Sequence, residues 1–163
     1  MKRYSPAACL VLAVLAVVGA SAPAAAQHPV PFHGVFEGDY TVTRIPGTPT
    51  ATLVVSASGH GSQIGAFELE IPHVVNFATS NATGSYEFTA ANGDMLIGTF
   101  TGHATPIGTD GHYAMIVEEV TITGGTGRFA GGTGDFTAVR LIDRVNLQTV
   151  GYYDGSISIR RGR

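Results

Sequence analysis

Cysteine, tryptophan and charge are scarce in this sequence of 163 residues. It has one cysteine, no tryptophan, and charged side chains at 13% of its positions. A single cysteine, Cys9, excludes an intramolecular disulfide and a multi-cysteine metal site. Acidic residues outnumber lysine and arginine by twelve to nine, which argues against a nucleic-acid partner.

The first 26 residues have the pattern of a secretory signal peptide. Lys2 and Arg3 form a basic start, an apolar stretch covers residues 8–19, and three alanines at 24–26 provide a small-residue cleavage site. The apolar stretch is too short for a membrane span. We therefore expect an exported protein, periplasmic or extracellular, that begins at Gln27 and contains no cysteine.

Helix signals are nearly absent from the rest of the chain. Residues that favour strands dominate, in short alternating runs separated by turn residues. We predict a flexible lead-in over residues 27–31, one β domain over residues 32–160 and a basic tail over residues 161–163. The predicted strands cover residues 32–44, 50–57, 64–71, 73–78, 85–90, 95–103, 112–123, 135–144 and 149–159.

This number of antiparallel strands, with no crossover helices, favours a closed barrel. Closure removes the exposed edges that a large open sheet would present. The predicted fold class is therefore all-β, a closed antiparallel barrel of about eight strands, and the alternative is a β-sandwich.

A glycine-rich segment over residues 123–136 reads TGGTGRFAGGTGDF. Its Gly125, Gly127 and Ala130 match the spacing of a dinucleotide fingerprint, but a strand follows where that fingerprint needs a helix. We expect instead a tight connection in which Phe129 plugs one end of the barrel.

Residues 124–134 of this segment resemble the Gly-Gly-Thr-Gly-basic-Phe segment of dirigent proteins and the related loop of allene oxide cyclases. Together with the sequences AANGD at 90–94 and GSIS at 155–158, they resemble bacterial secreted relatives of that barrel superfamily, mostly of unknown function. The resemblance covers about residues 32–160. It implies an eight-stranded antiparallel barrel, often trimeric, with an internal cavity. Plant members handle small apolar molecules there without a cofactor in the protein. No plant catalytic residue is carried over to a position in this chain.

Two charged residues fall on predicted inner faces, Glu118 on one strand and Arg140 on the next. A hairpin centred on Phe129 would place them directly opposite each other, within contact reach. Such a pair on an apolar face is unfavourable unless each charge satisfies the other. Three interpretations stay open: the pair orients a polar group of a mostly apolar ligand, it is a structural ion pair near the barrel rim, or the strand faces are reversed and both residues point outside the barrel.

Two tyrosines complete the candidate ligand-binding residues. Tyr153 and Tyr40 both lie on predicted inner faces, where a phenol can meet a ligand, although a plain core aromatic is the alternative for Tyr153. The six histidines have no metal-ligand spacing and are expected at the rim or in solvent, so no metal site is predicted. No serine lies in a nucleophile-elbow motif, and no catalytic residue is assigned.

Two of the predicted strands are apolar on their second face as well. Met115, Val117, Val139 and Leu141 would all point outward. A small soluble barrel needs only one buried face, so something is expected to cover this one. The candidates are self-association, as a trimer by the resemblance, and the loop over residues 104–111.

We therefore expect an exported barrel that binds a small, mostly apolar molecule in its cavity without a cofactor. The alternatives are a cofactor-free cyclase or isomerase resembling allene oxide cyclase, and a structural or surface-interaction protein with a filled core.

Overall fold

The computed structural model describes residues 28–159, so the predicted signal peptide and basic tail lie outside the described residues. No helix in this part of the chain is long and apolar enough to cross a membrane. A short 3₁₀ turn covers Gly127–Phe129. The strands are β1 (Val30–Arg44), β2 (Thr50–Gly61), β3 (Gly65–Asn76), β4 (Asn81–Ala90), β5 (Met95–Ile107), β6 (Tyr113–Gly125), β7 (Thr133–Asp143) and β8 (Gln148–Ser158).

Each strand pairs antiparallel with the next, and β8 pairs with β1 to close the sheet. The closing ladder places Gly34 opposite Tyr153 and Val30 opposite Ile157. The predicted closed antiparallel barrel is confirmed, and the β-sandwich alternative is wrong.

The structure has eight strands where the sequence predicted nine segments. The segments predicted at 64–71 and 73–78 are one strand, β3, which continues through Pro72. Pro72 pairs with Val54 of β2, while the β3–β4 ladder skips Ile71 and Pro72. A proline has no N–H to donate, so it weakens a ladder locally without ending the strand.

The barrel interior is built by strict alternation of side chains. Along β6, every second residue from Ala114 to Ile122 is buried, and Glu118 is among them. Aromatic rings from several strands fill the centre, with centroids 4.7–6.2 Å apart. Those rings belong to Phe32, Phe67, Tyr86, Phe88, Phe136 and Tyr153.

One end of the barrel is plugged, as the sequence predicted. Phe129, at the end of the 3₁₀ turn, is fully buried, and Arg128 Nη2 donates to the carbonyl of Ile64 at 2.8 Å. Gly127 has φ +53° and packs against the Asp94 carboxylate where a Cβ would stand, so any other residue would be strained there and would displace that carboxylate. We call this end the plugged end.

The outer surface carries an apolar patch across β1, β8, β7 and β6. One row of cross-strand neighbours on the outer face consists of Val35, Tyr152, Val139 and Val117. A second, parallel row consists of Val150, Leu141 and Met115. Most of these side chains are between 38% and 61% exposed. The alternative that loop 104–111 covers them is wrong, because β5 continues to Ile107 and the patch side chains stay exposed. We call these seven residues the outer apolar patch.

Candidate ligand-binding site

The opposite end of the barrel is open and holds a cavity of about 200 Å³. It lies among the hairpins that follow β1, β3 and β7, because connections after odd-numbered strands of an up-and-down barrel share one end. We call it the open-end cavity.

Apolar side chains make up most of the wall of the open-end cavity, and six polar side chains are set among them. The apolar members are Val42, Leu53, Val55, Val75, Phe77, Ala82, Ala104, Ile116, Ile142 and Leu147. The polar members are Tyr40, Arg44, His73, Ser80, Arg140 and Arg144.

Glu118 and Arg140 form a buried ion pair, with exposed fractions of 0% and 2%. Arg140 Nε donates to Glu118 Oε2 at 2.9 Å, and Arg140 Nη2 donates to Oε1. The predicted contact is present, but the predicted register is wrong by two residues. Glu118 lies opposite Ala138, and Arg140 lies opposite Ile116. The long side chains meet diagonally, which antiparallel strands permit.

A third polar group, Tyr86 on β4, completes this cluster. Its hydroxyl donates to Glu118 Oε2, so both carboxylate oxygens are engaged. Burial first, and the nearby Glu118 carboxylate second, raise the pKa of Tyr86 well above its usual value. The phenol therefore stays neutral and acts as a donor.

Arg140 separates the carboxylate from the cavity. Burial alone would lower the pKa of Arg140, but Glu118 and Tyr86 together outweigh burial and raise it, so the guanidinium stays charged. Arg140 lines the cavity and Glu118 does not. Among the hydrogen bonds of residues 28–159, Arg140 Nη1 makes none, which leaves its donors for a guest.

His73 on β3 contributes a second polar group near Arg140. The expectation of rim or solvent histidines is wrong for this one, which is 5% exposed. Its Nδ1 lies 2.8 Å from the Ile71 carbonyl, an acceptor, so Nδ1 carries the proton and Nε2 is an acceptor. Burial foremost, and Arg140 to a lesser degree, lower the pKa of His73, although the Ile71 carbonyl opposes them. A neutral imidazole and a charged guanidinium therefore line one cavity.

No known family model and no curated protein sequence matches this chain. Solved structures do match. The pterocarpan synthase dirigent protein GePTS1 superposes with a TM-score of 0.58 at 14% identity, over 90% of this chain and 100% of its own. The pterocarpan synthase dirigent protein PsPTS1 gives 0.56 at 13% identity, over 83% of this chain and 97% of its own.

The chain has the dirigent barrel fold. The resemblance predicted from the glycine-rich segment is thus confirmed for the fold. At this identity the likeness concerns the backbone, and the chemistry of the site must be argued from this chain's own side chains.

Within this dirigent fold, the two candidate tyrosines lie in different places. Tyr40 lines the open-end cavity, and its hydroxyl donates to the Asp143 carbonyl at 3.2 Å. Tyr153 lies outside the cavity lining, in the central aromatic cluster. Its buried hydroxyl has no hydrogen-bond partner among the described residues and lies against Gly34 and Gly61. Burial raises the pKa of Tyr153.

Other depressions of this dirigent fold are shallow and external. One of about 920 Å³ follows the outer faces of β1 to β4, and another of about 560 Å³ crosses β1, β7 and β8. Between residues 28 and 159, no three His, Cys, Asp or Glu side chains are grouped so that they could hold a metal ion. The open-end cavity is therefore where apolar walls and convergent polar groups coincide.

Proposed function

We propose that this protein binds a small, mostly apolar molecule in the open-end cavity. The observation that carries the proposal is the cavity of about 200 Å³ with Arg140 and His73 set in an apolar wall. Binding sites for small molecules have this composition, with a few fixed polar groups that orient the guest. The central aromatic cluster and the buried Phe129 lie between this cavity and the plugged end, so we expect the guest to enter at the open end.

The cavity is suited to holding and orienting a guest. Arg140 offers N–H donors, and His73 Nε2 offers an acceptor, so a hydroxyl group of the guest can accept from the guanidinium and donate to the imidazole. Glu118 is engaged by Tyr86 and Arg140, which holds the guanidinium in place. A preorganised donor of this kind lowers the entropic cost of binding.

The direct test is mass spectrometry of small molecules retained by protein purified from its native host. The matched variant is Ala104→Phe, which places a ring in the cavity. We expect the retained molecule to be lost in this variant and kept in Thr83→Phe, where the side chain is exposed on the outer face of the adjacent strand β4, away from the outer apolar patch. Equal retention by both variants would place the bound molecule elsewhere and contradict the proposal.

We further propose that a second copy of the chain covers the outer apolar patch. Contiguous apolar side chains on four adjacent strands are unusual on a monomer and typical of an interface. Leu141→Lys combined with Met115→Lys should shift sedimentation towards the monomer. Val74→Lys is the control, since Val74 is equally exposed on β3, across the barrel from β7. A parent protein that sediments as a monomer would contradict the proposal.

We also propose that residues 1–26 direct export. Support comes from the basic start, the apolar stretch and the alanines before Gln27. Expression of the full chain in a secreting bacterial host should give an exported product whose intact mass begins at Gln27. An unprocessed chain retained in the cytoplasm would contradict this.

A further inference from the structure

Three guanidiniums line the open-end cavity, at two depths. Arg140 lies at the floor, almost fully buried, and Glu118 neutralises it. Arg44, at the end of β1, and Arg144, just after β7, are exposed at the rim. The floor is therefore electrically balanced, while the rim carries two positive charges.

The rim charges have no carboxylate partner within residues 28–159. The Arg44 guanidinium lies 4.0 Å from the centre of the Phe77 ring, and Arg144 Nη1 lies 3.5 Å from the Gly111 carbonyl oxygen. The adjacent Asp143 carboxylate accepts hydrogen bonds from the turn that follows β7 and lines an outer depression instead. No aspartate or glutamate of the described chain lines the cavity itself.

We infer that the guest is a carboxylate with an apolar body about one ring in size, bound with its anionic group at the rim. The inference rests on the proposed binding function and adds the chemical class of the ligand. An apolar cavity of about 150 Å³ accepts benzene, so 200 Å³ admits a body of that size.

The orientation follows from the cost of burying charge. A carboxylate at the floor would lose its hydration and would meet an Arg140 already paired with Glu118. At the rim the carboxylate keeps part of its water shell and meets Arg44 and Arg144, whose planar guanidiniums suit bidentate contact. The apolar body then occupies the space between Val55, Ile116 and Ile142, and a hydroxyl group at its inner end would meet Arg140 and His73 as proposed above.

Three probes that differ only in their head group test the inference: phenylpropanoate, phenylpropanol and phenylpropylamine. Binding is followed by the NMR shifts of the Ile116 and Ile142 methyl groups, which report occupancy of the cavity itself. We expect the carboxylate to bind about fivefold more tightly than the alcohol, because two exposed ion pairs each contribute modestly. We expect the amine to bind most weakly, and added salt to weaken the carboxylate alone.

Matched variants test whether the preference for the carboxylate depends on the two arginines at the rim. Arg44→Gln combined with Arg144→Gln should remove the preference for the carboxylate, measured as the ratio of the carboxylate and alcohol affinities within the same variant. Arg128→Gln makes the same kind of charge change at the plugged end and should keep the preference. Unfolding temperatures of all variants verify that the fold is retained.

The failures of the two proposals are distinguishable. If the alcohol and the carboxylate shift the cavity methyl groups with equal affinity, the anionic class is wrong while the binding function stands. If none of the three probes shifts these methyl groups, both the binding function and the inferred class are overturned.

Discussion

Glu118 and Gly102 lie opposite each other in the β5–β6 ladder, and the Glu118 side chain occupies the space that a side chain at position 102 would need. A Cβ on Gly102 would stand 2.7 Å from Glu118 Cγ. Arg140 has the same arrangement with Gly151 on β8, where a Cβ would lie 2.9 Å from Arg140 Cγ. Glycines in the middle of strands thus make room for the buried ion pair.

Gly102→Ala should therefore destabilise the protein. The added methyl group forces the Glu118 side chain away from Arg140 and Tyr86, and overpacking of this kind costs about 1–3 kcal/mol. Urea unfolding measures the change, and Thr101→Ala, on the exposed face of the same strand, is the control. If the Gly102→Ala variant unfolded at the same urea concentration as the parent protein, Glu118 would have free space around it and the prediction would be wrong.

The ion pair itself should show strong coupling in a double-mutant cycle. Glu118→Leu or Arg140→Met alone leaves one buried charge without its partner, which costs about 3–5 kcal/mol in free energy of unfolding. The double variant removes both charges and should be destabilised by much less than the sum of the single variants. Additive single effects would mean that each charge finds another partner in the barrel.

The sequence predicted the inner faces correctly although it misplaced the register of the β6–β7 hairpin. A hairpin centred on Phe129 differs by two residues from the observed ladder, in which Ile122 pairs with Gly134. Because side chains alternate with a period of two, a shift by two keeps every side chain on its face. The Glu118–Arg140 contact therefore survives the error, and long side chains bridge the remaining diagonal.

Tyr86 and His73 were missed for separate reasons. Tyr86 lies on β4, two strands from Glu118, and local alternation carries no information on contacts across an intervening strand. The feature of the sequence that could have identified Tyr86 is a phenol on a buried strand face, because its hydroxyl group needs a hydrogen-bond partner there. The inward position of His73 is not predicted from the sequence, because the predicted strand ends before Pro72. A strand that continues through Pro72 places His73 on the inner face with Ile71, as observed.

Removing the hydroxyl group should affect stability differently at Tyr86 and at Tyr153, although both rings lie in the same aromatic core. Tyr86→Phe removes the donor to Glu118 and should destabilise the protein by about 1–3 kcal/mol, as for a hydrogen bond to a charged group. Tyr153→Phe removes a buried hydroxyl with no partner in the described chain and should leave stability equal or raise it by up to about 1 kcal/mol. Thermal or urea unfolding compares the pair directly. A loss of stability in Tyr153→Phe as large as that in Tyr86→Phe would imply a bound water or another partner at Tyr153.

Burial of His73 should make the stability of the barrel depend on pH. Because the pKa of His73 is lower in the folded barrel than its usual value of 6.5, the unfolded chain takes up the proton first as the pH falls. The stabilisation by the neutral imidazole is therefore complete above about pH 6.5 and decreases as the pH falls towards the lowered pKa of the folded state.

His73→Asn isolates this contribution, since an asparagine amide can still donate towards the Ile71 carbonyl but does not titrate. Free energies of unfolding measured between about pH 5 and pH 7 should decline more steeply on acidification for the parent than for the variant. His103→Asn, at an exposed position on β5, is the control for the removal of one histidine. The expected difference between the parent and His73→Asn lies at a higher pH than the titration of Asp94 and Asp143, because hydrogen bonds lower the pKa of both carboxylates from 3.8. Parallel curves for the parent and His73→Asn would mean that the imidazole is protonated equally in both states, and so that water reaches it through the open end.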